Sequence, residues 1–478
     1  MASMQRARPS WWGSPLHITY TIIVFVVLAS LDNAAIFMIP SMVLPVSDAL
    51  DTSSGAIGFM TGATILVTAI AAVGWGYAGD ATNRKPLLFW GTIIWSGATL
   101  LSATSAAYWM LFLWQILAAI GLGAIASVGF SVISDFVGPR RRGLAMSFWG
   151  LSQGIGTLVG GLLASQLGAG SFRIPLALIA VAGLFFALLY LTTYEAPRGF
   201  REPELAPLYA SGADYEYRIE RAQIPTLLHR KTNLWLILQG FTAQFAYGSL
   251  LWIPLLYQEK VIAEGYGEAT GTKVGGLFAA MFTVGALFSI LFGHLGDRLQ
   301  RRTPRGRALL SAVGILGAVP MFLVFFWVPL RGLDVTEGAG TLTLTTEVFV
   351  SFFTNPWSAL AFLSAVAAIA LTSADSPNWF ALISDVNVPE HRGTVFGLGN
   401  FVNGIGRSAG AALTASAASA IERSVPPPFN WAVGLSLFQV FFLPTGWCYW
   451  KASKTAPADI ADVAATLSER AEQTIAGD

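Results

Sequence analysis

The sequence predicts an all-α membrane protein of twelve transmembrane helices, arranged as two pseudo-symmetric halves of six. Composition is the first reason. Of 478 residues, 54% are hydrophobic and only 12% charged, against roughly 25% charged in an ordinary soluble protein. Mean hydropathy is +0.60. The second reason is that twelve apolar stretches reach the length of about 20 residues that a bilayer-crossing helix needs. The third is that short motifs in the first half return, in the same order, in the second. This composition excludes a soluble enzyme, a nucleic-acid binder and a disordered chain. The balance of 28 basic and 27 acidic residues points to no polyanionic partner. One cysteine, Cys448, and four histidines leave no disulfide framework and no metal-ligand set, so neither a metal nor a cofactor is expected.

In chain order, the apolar stretches run over approximately 17–45, 54–79, 86–106, 108–137, 142–168 and 172–194. After a polar interval they resume at approximately 232–262, 272–296, 307–331, 357–384, 393–420 and 429–451. The first is too long for a cleavable signal peptide and leads straight into the second without a small-residue cleavage site. The interval 195–231 carries Pro197, Pro203, Pro207 and Pro225 and reads as a linker between a half at 1–194 and a half at 232–451. Within it, Asp214 to Arg221 suggests a short surface helix. A loop is expected around 332–356, and the Ala-rich tail 452–478 reads as helical without spanning.

Orientation follows from Lys and Arg, which concentrate on the cytoplasmic side. An even number of spans puts both termini on one side. That side collects Arg6, Arg8, Arg84, Lys85, Arg140, Arg141, Arg142, the six basic residues of the linker, Arg298, Arg301, Arg302, Arg305, Arg307, Arg392 and three in the tail, 22 of the 28. Both termini are therefore expected in the cytoplasm, with the chain integral to the plasma (inner) membrane.

The repeats are specific. Ile133-Ser134-Asp135-Phe-Val-Gly-Pro139-Arg-Arg-Arg142-Gly143 ends span four, and Ile383-Ser384-Asp385-Val-Asn-Val-Pro389-Glu-His-Arg392-Gly393 ends span ten. Six of eleven positions agree without a gap, at an offset of 250. The same offset aligns Gln153-Gly154-Ile155-Gly156 with Asn403-Gly404-Ile405-Gly406. Gly79-Asp80 after span two and Gly296-Asp297 after span eight form a third pair. Transporter folds are often built from such repeats.

After span two the chain reads Gly76-Tyr-Ala-Gly-Asp80-Ala-Thr-Asn-Arg84-Lys85, and after span eight Gly293-His-Leu-Gly-Asp297-Arg298-Leu-Gln-Arg301-Arg302. Both resemble the cytoplasmic loop signature of the major facilitator superfamily, G-x-x-x-D-R-x-x-R-[RK], the first with Ala81 in place of Arg. The resemblance implies the major facilitator fold and a cytoplasmic gate that stabilises the outward-open state and breaks for inward opening. The expected gate residues are Gly76, Asp80, Arg84, Asp135, Gly293, Asp297, Arg298, Arg301 and Asp385. In that reading the glycines allow close helix approach. Asp80 and Asp297 face the starts of spans eleven and five, where a helix N-terminus favours a carboxylate. Arg84 reaches Asp135, and Arg301 reaches Asp385.

The first half further resembles the Spinster lipid-transporter branch, through Leu31-Asp32, Ile57-Gly58, Gly79-Asp80 with Asn83-Arg84-Lys85, Trp95-Ser96-x-Ala98-Thr99 and Ile133-Ser134-Asp135. It departs where Asn33 follows Asp32 in place of the branch's Arg. Span four has Gln115 and Leu122 instead of an Arg and a Glu, and Arg407 follows Gly406 instead of Asp.

Three formal charges lie deep within spans: Asp32, Asp375 and Arg407. An intramembrane charge costs at least about 2.5–3.5 kcal/mol on insertion scales, which makes each a functional candidate. Helical rise places Asp375 roughly 15 Å in from Asp385, and Arg407 roughly 21 Å in from Gly393. Arg407 needs a carboxylate, a substrate anion or water, since arginine does not readily shed its charge; Asp375 is its nearer candidate partner. Asp32, with no adjacent Arg, is the better proton carrier, and Asp375 is the second coupling candidate. Asp32, Asn33, Gln115, Gln244, Asp375, Asn378, Asn403 and Arg407 are the candidate substrate contacts, and no catalytic residue is expected. So few fixed charges favour a hydrophobic or amphipathic substrate: a lysolipid, a sphingoid-type lipid or a lipophilic drug. The partners expected are that substrate, protons and the lipid bilayer, without nucleic acid, for a chain acting as a monomer. A small organic-anion carrier using Arg407 is the alternative, and a transporter-like membrane sensor the non-transport one.

Overall fold

The computed structural model describes residues 14–477 except 40, 41, 43–45, 47, 53, 168–170, 212, 214 and 221–223. Arg6, Arg8 and Arg221, counted above among the cytoplasmic charges, and the side chain of Gln153 lie outside the described residues. Every regular element among the described residues is helical.

Span one is α1 (Pro15–Met38), span two α2 (Ser54–Ala81) and span three α3 (Arg84–Ala103). Span four is α4 (Tyr108–Ala124), continued through a π turn at Ile125–Gly129 into α5 (Phe130–Phe136). Spans five and six are α6 (Arg142–Leu167) and α7 (Arg173–Tyr190); the linker carries the short helices α8 (Ala206–Ser211) and α9 (Ile224–His229). Span seven joins α10 (Lys231–Ser249) to α11 (Ile253–Ala263), span eight joins α12 (Glu268–Phe282) to α13 (Phe288–Arg302), and span nine is α14 (Gly306–Trp327). A further helix, α15 (Thr341–Thr354), follows span nine. Span ten is α16 (Pro356–Thr372) and α17 (Asp375–Asp385), span eleven α18 (Arg392–Ile421), and span twelve α19 (Phe429–Gln439) with α20 (Phe442–Gly477).

Ten helical segments among the described residues are long and apolar enough to cross a bilayer. The other two, α6 and α18, hold repeat-equivalent places and are diluted by Gly and Ser. At 26 and 30 residues they still exceed the length of hydrocarbon to be crossed. Sequence sets the helix ends. Ser14 caps α1, its Oγ accepting from His17 N at 3.2 Å, with Pro15 at the first position. Asn355 caps α16 ahead of Pro356, its Oδ1 accepting from Trp357 N at 2.8 Å and Ser358 N at 3.2 Å. These are the polar-cap and N1-proline preferences at work.

Two expectations change. Tyr215–Glu220 is not helical and belongs to no regular element, and the ends of the expected helix, Asp214 and Arg221, lie outside the described residues. The Tyr-Glu-Tyr-Arg-Ile-Glu order alternates, burying Tyr215 and Ile219 while Glu216, Arg218 and Glu220 face outward, and a period of two is not that of a helix. The interval 332–356 is not all loop, since α15 occupies half of it.

The chain packs into two units. Unit one comprises Met1–His229, Ile383–Phe401 and Ala458–Asp478; unit two comprises Arg230–Leu382 and Val402–Pro457. Within unit one, Gly156 and Gly160 of α6 lie against the backbone of Ser30 and Ala34 of α1, where a side chain would overlap it. Within unit two, Gly406 and Gly410 of α18 lie in the same way against Phe241 and Phe245 of α10. Small residues four apart let two helices approach closely in lipid. The repeat is therefore a repeat of packing as well as of letters. Unit two has an aromatic core around Tyr257, Phe278, Phe282, Phe325 and Phe442.

Span ten is interrupted at Ser373-Ala374, and span four is distorted from Ile125 onward, 250 residues before the start of α17 at Asp375. The carbonyl of Ala374 is claimed by Ser311 Oγ of α14 at 3.1 Å and by Asn378 Nδ2 at 2.8 Å. A broken helix inside a membrane requires such replacement partners.

Candidate functional site

An ion-pair network lies in unit one where α2, α5, α6, the linker and α18 meet. Gly76 of α2 faces the carbonyl of Gly393, leaving no room for a side chain. One turn on, the buried Asp80 accepts from Gly393 N (Oδ1, 3.2 Å) and Thr394 N (Oδ2, 2.6 Å). These are unsatisfied donors of the first turn of α18, so Asp80 caps that helix from outside its own sequence.

Arg84, at the start of α3, donates to Asp135 at the end of α5. Asp135 Oδ1 also accepts from Gly199 N at 2.8 Å and from Arg392 Nη1 at 3.3 Å. Arg392 Nη2 donates to Glu202 Oε1 at 2.5 Å, and Arg142 Nη2 donates to the same oxygen at 2.5 Å. Arg142 Nη1 then reaches Asp385 Oδ1 at 2.5 Å. The result is an alternating chain of three guanidinium groups and three carboxylates: Arg84, Asp135, Arg392, Glu202, Arg142, Asp385. All six are buried.

The pairing crosses the sequence repeat. Asp135 and Asp385 are equivalent positions, as are Arg142 and Arg392. Each aspartate bonds the arginine of the other repeat, and Glu202, from the linker, holds both arginines. Burial pushes the Glu202 carboxyl up, but the charges of Arg142 and then Arg392 outweigh it and hold it below the usual glutamate range. Arg198, which donates to the carbonyls of Gly79 and Thr82 at 2.6 Å each, is brought down to about 9 by burial and by the neighbouring charge of Arg84.

Sequence reasoning expects Arg301 to reach Asp385; within unit one, Asp385 accepts from Arg142. It did not single out Arg142, Arg392 or Glu202. The two arginines were visible as matched letters of the repeat. Glu202 had no such signal, since the linker has no repeat counterpart. In the second loop motif, Asp297 accepts from Arg307 Nη2 at 2.7 Å, at the start of α14. Gly293 is buried, while Arg298 and Arg301 are exposed.

The intramembrane candidates divide between the units. Asp32 is 3% exposed, and neither carboxylate oxygen has a hydrogen-bond partner among the described residues. Ser30 and Ala34 face α6. The helical period therefore sets Asp32 on the opposite side, with Leu31, Ala35 and Ile36, which pack on Trp95 and Ala98 of α3 and Ala118 and Leu122 of α4. Trp95 Nε1 in the same cluster is also unpartnered. Asn33 Nδ2 donates to its own helix at Ala29 O, 2.9 Å, and Gln115 Nε2 to Ser102 Oγ, 3.0 Å.

In unit two, Asp375 accepts from Gln239 Nε2 and Tyr247 OH, each at 3.1 Å, and from Tyr449 OH. Asn378, one turn along α17, has an Oδ1 beside Gly296 with no hydrogen-bond partner among the described residues. Gln244 and Asn403 are half-buried on the packed faces of α10 and α18, where Gln244 meets Gly406 and Asn403 meets Gly240. Arg407 is exposed, with its backbone carbonyl against Gly248.

The family model of the Major Facilitator Superfamily matches residues 22–411. The chain belongs to this superfamily. It is 25% identical over 302 residues to the sphingosine-1-phosphate transporter SPNS2 of Danio rerio, covering 61% of this chain and 59% of that one. Other spinster homologues match similarly, and the chain spans about half to three fifths of the length of these relatives. The proton:xylose symporter XylE has a similar fold, with a TM-score of 0.66 at 15% identity over 91% of this chain and 96% of that one. So does an inward-facing bacterial homologue of the human lysosomal transporter Spinster, at 0.57 and 18% over 94% and 99%. Membership of this superfamily accounts for the helical fold and the two loop motifs.

Proposed function

We propose that this chain is a secondary transporter for a hydrophobic or amphipathic small molecule, a lysolipid, sphingoid-type lipid or lipophilic drug, working by alternating access and coupled to protons through Asp32. The observation that carries the coupling is the buried Asp32 carboxylate, which has no hydrogen-bond partner at either oxygen among the described residues. Such a group is costly as an anion in an apolar setting and is stable there as the neutral acid. It takes up a proton when closed off and releases it when water arrives. Asp375, held by three donors, is the second coupling group. The spinster relatives, one of them named for sphingosine-1-phosphate, support the amphipathic substrate class.

The network around Glu202 acts as the cytoplasmic gate. Both termini lie in the cytoplasm, the chain sits in the plasma membrane, and it works as a monomer. Its two functional halves are 1–194 and 232–451, joined by the linker 195–231.

The test is proton-driven flux in proteoliposomes. Asp32→Asn abolishes gradient-driven transport while leaving the folded, monodisperse protein intact; undiminished flux in that variant removes Asp32 from the mechanism. A second reading, a small organic-anion carrier, is favoured by Arg407, a positively charged residue within span eleven that is exposed overall. A bound ligand raises the melting temperature by mass action. Stabilisation by anionic lysolipids that is lost in Arg407→Ala supports the lipid reading, and stabilisation by small hydrophilic anions alone replaces it with the second.

A further inference from the structure

The helix α15, between spans nine and ten, has three distinct faces. Leu344, Val348, Ser351 and Phe352 are buried in unit two. About half a turn round the helix, Leu342, Phe349 and Phe353 are 83%, 55% and 78% exposed. Their spacing of seven and four residues makes them one stripe, and the two phenylalanine rings touch edge to face at 5.4 Å. The third face carries Thr343, Glu347 and Thr354.

An exposed stripe of this kind is untenable in water, and its surroundings say what covers it. The single residue Asn355 joins α15 to α16, whose Leu360 and Leu363 are 43% and 64% exposed on a membrane-spanning helix. One residue beyond α15, the chain therefore enters a spanning helix that itself presents leucines outward. Trp327 ends α14 and Trp357 begins α16, and tryptophan marks the headgroup level of a bilayer. So α15 is bracketed by two residues of that level.

Beside its polar face is a groove of about 860 Å³. It is lined by Arg331, Asp334, Glu347 and Trp357 among others, and the Arg331 guanidinium stands 5.8 Å from the centre of the Trp357 ring. One guanidinium, two carboxylates (that of Glu347 also accepting from Thr336 N at 2.9 Å and Thr336 Oγ1 at 2.6 Å) and an aromatic ring match a zwitterion that carries a phosphate and an ammonium a few bonds apart. The guanidinium fits the phosphate, while the carboxylates and the ring face fit the ammonium.

We propose that α15 is an interfacial helix that seats its Leu342–Phe349–Phe353 stripe at the headgroup–acyl boundary and holds a zwitterionic phospholipid headgroup in the adjoining groove. Amphipathic helices bind bilayers in this way, with the apolar face sunk just below the headgroups. The proposal rests on the chain being a membrane protein and not on the identity of its transported substrate.

The full-length protein in phosphatidylethanolamine nanodiscs tests it. The single cysteine, Cys448, is replaced by Ala, and an environment-sensitive fluorophore is attached at Phe353→Cys or, as a control on the polar face, at Thr343→Cys. Lipids carrying a nitroxide near the headgroup should quench the label at 353 more strongly than lipids carrying it near the chain end, and should quench the label at 343 weakly. A label at 353 that is quenched only from the aqueous phase, or most strongly by the deep nitroxide, overturns the interfacial placement. In detergent, phosphatidylethanolamine should raise the melting temperature of the wild type more than phosphatidylglycerol does, and Asp334→Asn, which removes a carboxylate facing the ammonium, should lose that difference. Equal stabilisation by both lipids in both proteins overturns the headgroup assignment. Neither outcome depends on transport, so failure here and failure of the transport reading are separate results.

Discussion

Replacing Glu202 by Gln tests the gate where the structure is most demanding. The substitution keeps the shape and an acceptor oxygen but removes the charge that faces Arg142 and Arg392 at 2.5 Å each. Removing one partner of a buried ion pair costs about 3–5 kcal/mol. Here each arginine keeps a second carboxylate, Asp385 for Arg142 and Asp135 for Arg392, so the lower end, about 3 kcal/mol, is the appropriate figure. If that loss falls on the closed state alone, closed and open populations shift relative to one another by about two powers of ten, at 1.4 kcal/mol per tenfold. The assay is thiol labelling at Ser134→Cys, a buried position next to Asp135, in a background lacking Cys448. Where labelling requires opening, its rate follows the open fraction and should rise by about that factor in the Gln variant. A folded Glu202→Gln protein that labels at the parent rate, with an unchanged melting temperature, refutes the claim that Glu202 holds the arginines together.

Other consequences follow from the same geometry. A carboxylate held below its ordinary range contributes stability that is present above the unfolded pKa and lost as pH falls through the folded one. The melting-temperature gap between wild type and Glu202→Gln should therefore be full at neutral pH and close only below the usual glutamate range, whose reference value is 4.5; a gap already closed at pH 6 contradicts the assignment. Gly76→Ala drives a methyl group into the Gly393 carbonyl, an overpacking cost of about 1–3 kcal/mol. It should lower the melting temperature and raise the Ser134→Cys labelling rate, whereas Gly62→Ala on the same helix, with open space around it, should do neither. Tyr449→Phe removes one of three donors to Asp375 and should cost about 1.5–3 kcal/mol of stability. Chemical denaturation checks this, and a change under half a kcal/mol contradicts it.

What was legible in the sequence divides along a physical line. Ten of the spans, the two loop motifs and the closeness of Gly76 to its neighbour follow from hydropathy and from glycine at fixed spacing, both local signals, whereas spans five and eleven rest on their place in the repeat. Asp80 followed from the rule that a carboxylate seeks a helix N-terminus, and the helix it finds, α18, lies about 300 residues away in sequence. The run at Tyr215–Glu220 was misread because its alternation was overlooked. The helix α15 was taken for loop because its threonines hide the apolar stripe. Glu202 was not visible at all, because a carboxylate in a proline-rich polar segment looks solvated until its partners are known.

The arginine partners are the instructive case. Aligning the repeats shows that Asp135 matches Asp385 and Arg142 matches Arg392, but an alignment says which residues are equivalent, not which ones meet. Two arrangements were open: each aspartate with an arginine of its own repeat, or each with the other's. A pair confined to one repeat, such as Arg84 with Asp135, survives any rigid rocking of the two repeats and cannot report on it. A pair between repeats must break when they separate. The structure holds both kinds, and only the second is bridged by the linker carboxylate. The proposed gate therefore rests on Arg142, Arg392 and Glu202, residues whose role depends on tertiary structure, more than on the loop motif that led to it.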